Sequence, residues 1–298
     1  MGRIAEALKK AERERLARTG DTAGGGVATI APLLPDRVNV AERPPGGGNG
    51  REEPEPVAIT EGMSESLVAY YDRSSLISEQ YRTLRTRLMS QNQHHEHRIL
   101  AITSSAPREG KTVTAVNLAF TFAEIRHFNS LVVDADFRRS SLANVLNLRA
   151  SPGLAELLTG EATYPEVIQR TPVPNLHFVA AGDLKGRNAT ELLGVLGSRA
   201  VFHWFESQYH FTFVDTPPAT TVTDVGIIGQ FCSGAIMVVR MHRTPEPLAR
   251  CAARLLQVNN IPVVGCVLVG RGEPVAGYGY RYNYYPYYDD YCVKANGK

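Results

Sequence analysis

The sequence predicts an α/β protein with a doubly wound, mostly parallel sheet and helices on both of its faces. From residue 98 onwards, short apolar segments alternate with helical segments, which is typical of parallel strands joined by crossover helices. A turn that ends in Gly-Lys-Thr separates the first of these strands from a helix, and phosphate-binding α/β proteins require that context. The predicted strands are 98–103, 130–136, 175–181, 211–218, 234–240 and 263–269.

The composition is that of a globular protein in water, with 43% hydrophobic and 21% charged residues. A formal net charge of +2 gives no electrostatic argument for nucleic acid, so we expect no such partner. The sequence has no apolar run of about 18 residues, and its N-terminus is too charged for a secretory signal. These features predict a cytoplasmic protein.

The chain has four cysteines, and their spacing is not that of a metal site. Cys232, Cys251 and Cys266 have apolar neighbours, which predicts reduced thiols in the core of a cytosolic protein. Cys292 stands near the C-terminus.

We expect four regions along the chain. Residues 1–18 are predicted to form a basic amphipathic helix, which either docks on a partner or an anionic membrane surface or stays solvated. Residues 19–62 are rich in Gly, Pro and charge, which predicts a disordered linker. A folded domain at 63–272 is expected next, followed by a flexible tail at 273–298.

A helix is predicted at 78–89, because apolar residues recur there at helical spacing. Three charged residues lie on a neighbouring face, and these are Glu79, Arg82 and Arg85. Such residues either pair internally or form a self-complementary charged patch between subunits. The spacing alone leaves both possibilities open.

The segment Ser104–Thr112 is predicted to be a phosphate-binding P-loop. Gly110 lets the backbone approach phosphates closely, and the following helix N-terminus offers positive potential to an anion. Lys111 can reach the β- and γ-phosphates, and the Thr112 hydroxyl can ligate Mg²⁺. The full pattern G-x-x-x-x-G-K-[ST] begins with Gly, where this chain has Ser105. The residues expected to bind nucleotide are Ser105, Ala106, Pro107, Arg108, Glu109, Gly110, Lys111, Thr112 and Val113.

Three carboxylates stand at the ends of predicted strands, namely Asp134, Asp136 and Asp215. Because the carboxyl ends of parallel strands share one edge of a sheet, we expect these groups near Lys111. Mg²⁺ takes oxygen ligands, and phosphoryl transfer needs a base near the acceptor proton. Asp215 fits the metal, whereas Asp134 and Asp136 divide metal and base roles in an order that stays open; capping is the alternative for each. Arg240 ends a strand at this edge and is expected to touch the nucleotide.

The C-terminal segment 278–291 holds eight of the chain's 13 tyrosines. Pro286 interrupts any helix or central strand there, and no buried face accounts for the pattern. The segment is therefore predicted to be an exposed tail whose phenols can accept phosphate, or else a low-complexity segment with no reaction. The candidate acceptors are Tyr278, Tyr280, Tyr282, Tyr284, Tyr285, Tyr287, Tyr288 and Tyr291.

Three motifs and the tail together resemble the bacterial tyrosine autokinases (BY-kinases) of exopolysaccharide synthesis, from about residue 67 to 291. The motifs are S-A-P-R-E-G-K-T, V-V-D-A-D-F-R-R-S-S-L and F-V-D-T-P-P, which look like that family's Walker A, A′ and B. The resemblance implies a P-loop ATPase of the MinD/ParA-like superfamily in which Lys111 and Thr112 bind ATP and Mg²⁺. It also implies that Asp134, Asp136 and Asp215 serve the metal and catalysis, with Thr112, Asp136 and Asp215 on the metal side.

The same resemblance implies partners. Glu79, Arg82 and Arg85 match the family's E-x-x-R-x-x-R motif, which implies a ring-like homo-oligomer, such as an octamer, whose subunits phosphorylate their neighbours' tails. A separate transmembrane chain-length regulator is expected to activate the kinase and recruit it to the inner face of the membrane. A tyrosine phosphatase is expected to reset the tail.

Two other functions fit a nucleotide-binding fold of this kind. A ParA/MinD-type positioning ATPase would have a signature Lys in K-G-G-x-G-K-T, where this chain has Ala106. A non-catalytic scaffold would bind nucleotide to hold a conformation and would use its tail for aromatic contacts. Labelling with ATP separates these functions from a kinase.

Overall fold

The computed structural model describes residues 62–92, 98–221 and 223–270. The predictions for residues 1–18, for the linker up to 61 and for the tyrosine tail lie outside this part of the chain. Its strands are β1 Arg98–Ser104, β2 Ser130–Asp134, β3 Ile168–Arg170, β4 Leu176–Val179, β5 Phe211–Asp215, β6 Gly234–Arg240 and β7 Val263–Val269. Its α-helices are α1 Val68–Tyr71, α2 Leu76–Ser90, α3 Lys111–Ala123, α4 Leu142–Leu146, α5 Leu154–Thr159, α6 Tyr164–Val167, α7 Ala189–Leu193, α8 Leu196–Gln208, α9 Asp224–Ile228 and α10 Glu246–Val258.

The strands form one seven-stranded sheet in the order β3-β4-β2-β5-β1-β6-β7. All neighbouring pairs are parallel except β3 and β4, which pair antiparallel at the edge. The predicted doubly wound, mostly parallel sheet is therefore confirmed. Strand β3 was not predicted, since three residues are too few to show a periodicity. Because β1 lies between β5 and β6, the turn after β1 opens at the carboxyl edge where ligands of such sheets bind.

Helix α3 fixes the position of the turn that precedes it. Eleven of its 13 residues are buried, because its sequence is apolar on nearly every face and it packs between the sheet and other helices. The ring of Phe122 lies 4.4 Å from that of Phe211 and 5.2 Å from that of Phe213, measured between centroids. These contacts with β5 hold the helix, and hence its N-terminus, against the sheet.

Helices α1 and α2 cover the outer side of α3. Ser75 is the N-cap of α2, and its hydroxyl accepts a hydrogen bond from the N–H of Ser78 at 3.2 Å. The buried amide of Asn117 joins the layers: its oxygen accepts from the N–H of Ala69 at 2.8 Å, and its nitrogen donates to the carbonyl of Ser66 at 3.1 Å. Within residues 62–92, 98–221 and 223–270, no helix combines the length and apolar character needed to cross a membrane.

The expectation of core thiols is wrong for two of the three described cysteines. Cys251 and Cys266 are exposed, and Cys232 is half-buried. Cys266 lies on β7, which is the edge of the sheet, and Cys251 lies on an outward position of α10. Apolar neighbours in the sequence do not ensure that a side chain is buried, because a residue on an edge strand or a surface helix can face away from the core.

Candidate functional site

The turn between β1 and α3 has the backbone of a phosphate-binding loop. Arg108 and Gly110 both adopt left-handed conformations, with φ values of 65° and 98°. Glycine takes that conformation without a steric cost, which explains Gly110 at the point where the chain enters α3. The helix begins at Lys111, so its N-terminal N–H groups and its dipole lie at the carboxyl edge of the sheet.

Lys111 lies between two of the predicted carboxylates. Its Nζ atom is 2.8 Å from Oδ2 of Asp136 and 3.4 Å from Oδ1 of Asp215. All three side chains are buried, with exposed fractions of 9%, 3% and 1%. Burial lowers the pKa of Lys111, but the charges of Asp215 and Asp136 outweigh it, so that the pKa lies above its usual value. The lysine is therefore a permanent cation at neutral pH.

Thr112 and Asp215 are held together directly. The Thr112 hydroxyl donates to Oδ2 of Asp215 at 2.6 Å. Burial raises the pKa of Asp215 to about 6, and the opposing effects of Lys111 and of the Thr112 hydrogen bond do not cancel it. The three residues that follow the P-loop and Walker B patterns thus meet in space as the sequence predicted.

Asp134 has different surroundings. It pairs in register with Asp215 across β2 and β5, but its carboxylate accepts hydrogen bonds from its own loop: the N–H of Asp136, the hydroxyl of Ser140 and the N–H of Leu142, at 3.0–3.1 Å. Burial, followed by the nearby charge of Asp215, raises the pKa of Asp134 to about 7. The structure thus brings Asp136 to Lys111, whereas the carboxylate of Asp134 contacts donors of the loop at 136–142.

The oxygen atoms at this position suit a hard divalent cation. The carboxylates of Asp136 and Asp215 both contact Nζ of Lys111, and the Thr112 hydroxyl contacts Asp215. Mg²⁺ binds one or two carboxylates together with phosphate and water oxygens. The described residues contain no cluster of three or more His, Cys, Asp or Glu side chains arranged to hold a metal on their own. A metal here would depend on phosphate ligands as well.

Two further segments hold the P-loop, and of their contacting residues the sequence analysis had named only Arg240. On one side, the N–H of Ala219 donates to the carbonyl of Ser104 at 2.9 Å, and the Thr220 hydroxyl donates to the carbonyl of Ser105. On the other side, Nη1 of Arg240 donates to the carbonyl of Arg108 at 3.1 Å. Arg240 thus contacts the backbone of the loop, and its predicted contact with the nucleotide stays a prediction.

Two of the three predicted interface residues, Arg82 and Arg85, contact Glu124, which the sequence analysis missed. Arg82 forms a two-pronged ion pair with Glu124 at 2.7 and 2.9 Å and also reaches Glu79 at 2.6 Å. Arg85 contacts Glu124 at 3.0 Å and donates to the carbonyl of Thr121. Within this chain, the motif pairs internally around Glu124, which caps the C-terminal end of α3.

The described chain ends close to the P-loop. A Cβ atom placed on Gly110 would lie 3.5 Å from Cγ1 of Val269, which is the last residue of β7. Since β7 is parallel to β6, it ends at the same edge as the site. The described part of the chain therefore ends beside the predicted phosphate-binding loop, and the tyrosine tail lies outside it.

The buried helix that begins at Lys111, the left-handed turn before it and the two acids beside it are the arrangement of a P-loop nucleoside triphosphatase. No family model matches the chain. Curated proteins do: it is 30% identical to the putative tyrosine-protein kinase CapB of Staphylococcus aureus over 194 residues, 65% of this chain and 84% of CapB. It is 28% identical to the tyrosine-protein kinase YwqD of Bacillus subtilis over 232 residues, 78% of this chain and 96% of YwqD.

A solved structure agrees with these relatives. The kinase domain of the Escherichia coli tyrosine kinase ETK matches with a TM-score of 0.65 and 28% identity, over 72% of this chain and 84% of that domain. The chain therefore belongs to the bacterial tyrosine-protein kinases, which the resemblance of its motifs predicted.

Proposed function

We propose that this kinase transfers the γ-phosphoryl group of ATP to tyrosines of its own C-terminal tail. The observation that carries the proposal is the meeting of Lys111, Thr112, Asp136 and Asp215 at the mouth of the P-loop. A cation, a hydroxyl and two buried carboxylates at the start of α3 can supply the positioning and the charge stabilisation on which phosphoryl transfer depends.

Each residue has a role in this proposal. Lys111 leaves its carboxylate partners to bind the β- and γ-phosphates, and Thr112, Asp136 and Asp215 would hold Mg²⁺, which neutralises charge on the phosphates. The tyrosine oxygen forms a bond to the γ-phosphorus while the bond to ADP breaks, and the phenolic proton passes to Asp134. A pKa of about 7 suits Asp134 to a base near neutral pH. Its three hydrogen bonds leave about one lone-pair site free on the carboxylate.

The acceptors in this proposal are the tyrosines of segment 278–291, in a neighbouring subunit. The described chain ends at the edge of the sheet that carries the P-loop, which supports an arrangement in which the subunits of a ring present their tails to adjacent sites. Glu79, Arg82 and Arg85 would form the contact between subunits, and the two arginines would then give up part of their pairing with Glu124. Negative charge added to the tail by phosphate would then favour release from an acidic site.

The cellular setting follows from the family. We propose that the kinase regulates polymerisation and export of an exopolysaccharide, that a separate transmembrane chain-length regulator activates it at the inner face of the membrane, and that a tyrosine phosphatase returns the tail to its starting state. The CapB and ETK relatives named above support a tyrosine kinase, and the residues described here support its chemistry.

Incubation of the full chain with radiolabelled ATP and Mg²⁺, followed by analysis of the labelled amino acid, tests the proposal. A kinase labels itself on tyrosine. Release of phosphate without labelling would instead indicate a positioning ATPase, and binding with neither reaction would indicate a scaffold. Mapping of the label to 278–291 by mass spectrometry tests the identity of the acceptors.

A further inference from the structure

Glu109 stands out within the P-loop because its carboxylate is buried, with 3% of the residue exposed. Its Oε2 atom accepts a hydrogen bond from the N–H of Ser105 at 2.8 Å. Its Oε1 atom accepts from the hydroxyl of Thr244. The carboxylate of Glu109 thus joins Ser105 in the loop to Thr244, which lies between β6 and α10 and more than 130 positions away in sequence.

Thr244 is itself fixed in place. Its hydroxyl oxygen accepts a hydrogen bond from the N–H of Arg240 at 3.1 Å, so the single hydroxyl proton is left for Glu109. The guanidinium of Arg240 donates to the carbonyl of Arg108 at 3.1 Å. The P-loop is therefore contacted at two points from this side, by Arg240 at the end of β6 and by Thr244 through Glu109.

A direct role of Glu109 in phosphate binding is disfavoured by its charge. A carboxylate near the phosphates of a nucleotide would repel them, and both oxygens of Glu109 are already engaged by Ser105 and Thr244. A buried carboxylate that accepts hydrogen bonds from two neutral donors still costs free energy to bury. The hydrogen bonds of Glu109 explain its position, because they hold the backbone of the P-loop. In that loop Arg108 adopts a left-handed conformation, which is uncommon for a residue other than glycine.

We propose that Glu109 and Thr244 are positioning residues that keep the P-loop in its phosphate-binding shape before nucleotide arrives. A loop that is ordered in advance loses less conformational entropy on binding, so the pair should set the affinity for nucleotide although neither side chain binds it. The inference rests on the proposed ATP-binding function. It assigns a role to Thr244, which lies outside every sequence motif of the chain.

The test compares Thr244→Val, which removes the hydroxyl and keeps the shape, with Thr244→Ser, which keeps the hydroxyl. Calorimetry with Mg·ATP on the full chain should give a Kd raised about tenfold for Thr244→Val, the effect of one lost hydrogen bond. In self-labelling assays, KM for ATP should rise by a similar factor while kcat stays near the wild-type value. Thr244→Ser should restore Kd and KM to within about twofold of wild type.

A double-mutant cycle tests the coupling between the two residues. In a Glu109→Ala background the Thr244→Val substitution should have little further effect on Kd, because its partner is already gone. Additive effects, an unchanged Kd for Thr244→Val, or a serine variant as weak as the valine variant would each overturn the inference. If Glu109→Ala fails to fold, the valine and serine pair decides alone. Failure of the wild-type chain to bind Mg·ATP would overturn the proposed function itself, whereas wild-type binding without an effect of Thr244→Val overturns only the inference.

Discussion

The Nζ atom of Lys111 lies 2.8 Å from Oδ2 of Asp136, and the two side chains form a buried ion pair. Asp215 lies on the other side of the same ammonium group at 3.4 Å. One cation thus stands between two buried carboxylates at the entrance to the P-loop. Lys111 can turn towards a phosphate at low cost only if the carboxylates gain another cation. Binding of the nucleotide by Lys111 is therefore coupled to binding of a metal ion by the carboxylates.

The first prediction concerns Lys111→Met. This variant should lose self-labelling, because the lost charge stabilises the phosphates in the transition state. It should also fold with a lower free energy of unfolding, since two buried carboxylates lose their cation, and breaking a buried pair typically costs about 3 to 5 kcal/mol.

Denaturant unfolding of Lys111→Met and of the double variant Lys111→Met with Asp215→Asn measures this effect. The double variant should recover part of the lost stability and none of the activity. Labelling by folded Lys111→Met at the wild-type rate would refute the role of this lysine.

Substitutions of the three carboxylates should have two different effects, one on nucleotide binding and one on kcat. Asp136→Asn and Asp215→Asn should weaken nucleotide binding in the presence of Mg²⁺ much more than in its absence, because they remove the proposed metal ligands. Asp134→Asn should lower kcat by two or more orders of magnitude while the Kd for Mg·ATP changes little, which is typical of a lost base.

Calorimetry with and without Mg²⁺, together with labelling rates, separates these outcomes. Equal losses of binding in all three variants would mean that Asp134 acts as a cap of the Walker A′ loop and not as a base.

A pH dependence of stability follows from Asp215. Its pKa is about 6 in the folded protein, against an ordinary value of 3.8, so the folded state holds its proton to higher pH than the unfolded chain does. Its contribution to stability is therefore complete below about pH 4 and is lost as the pH rises through about 6. Relative to wild type, Asp215→Asn should become more stable by about 2 kcal/mol between pH 4 and pH 8, on the scale set by the size of the shift.

Urea unfolding of the nucleotide-free protein at both pH values provides this comparison. The exposed Glu191→Gln variant serves as a control that should show no such change. A constant difference between Asp215→Asn and wild type would show that Asp215 titrates normally.

Glu124 offers a test of assembly that the motif residues alone do not. Because Arg82 and Arg85 pair with Glu124 in this chain, Glu124→Gln should free the two arginines for a neighbouring subunit. Light scattering at matched concentration and salt should then show a larger average mass for Glu124→Gln and a smaller one for the variant with Glu79, Arg82 and Arg85 all changed to Ala. A smaller mass in both would mean that Glu124 orients the arginines for the interface, and an unchanged mass in both would leave internal pairing as their only function.

Much of this account could be predicted from the sequence, because its strongest signals are local. Strands β6 and β7 begin and end at the predicted residues, since each is a continuous apolar run bounded by turn residues. Lys111, Thr112 and Asp215 could be placed together because a P-loop and the end of a parallel strand must share one edge of the sheet.

The missed residues act through contacts between distant parts of the chain. Thr244 and Glu124 belong to no motif, and each matters only because folding brings it to a partner more than 35 positions away. The different surroundings of Asp134 and Asp136 could not be predicted either, since two acids at the end of one strand have the same local pattern. Their side chains differ through the loop at 136–142, from which three donors reach the carboxylate of Asp134 and one, the N–H of Arg139, reaches that of Asp136.

The transfer of phosphate from one subunit to the tail of another is the central claim, and a mixing experiment tests it most directly. Full-length Lys111→Met, which keeps the tail and lacks activity, is mixed with a chain that ends near Val275, which keeps the site and lacks the tail. With radiolabelled Mg·ATP, the account predicts tyrosine label on the tail of the Lys111→Met protein and none when either protein is incubated alone. Absence of label in the mixture, under conditions where the wild-type chain labels itself on tyrosine, would contradict it.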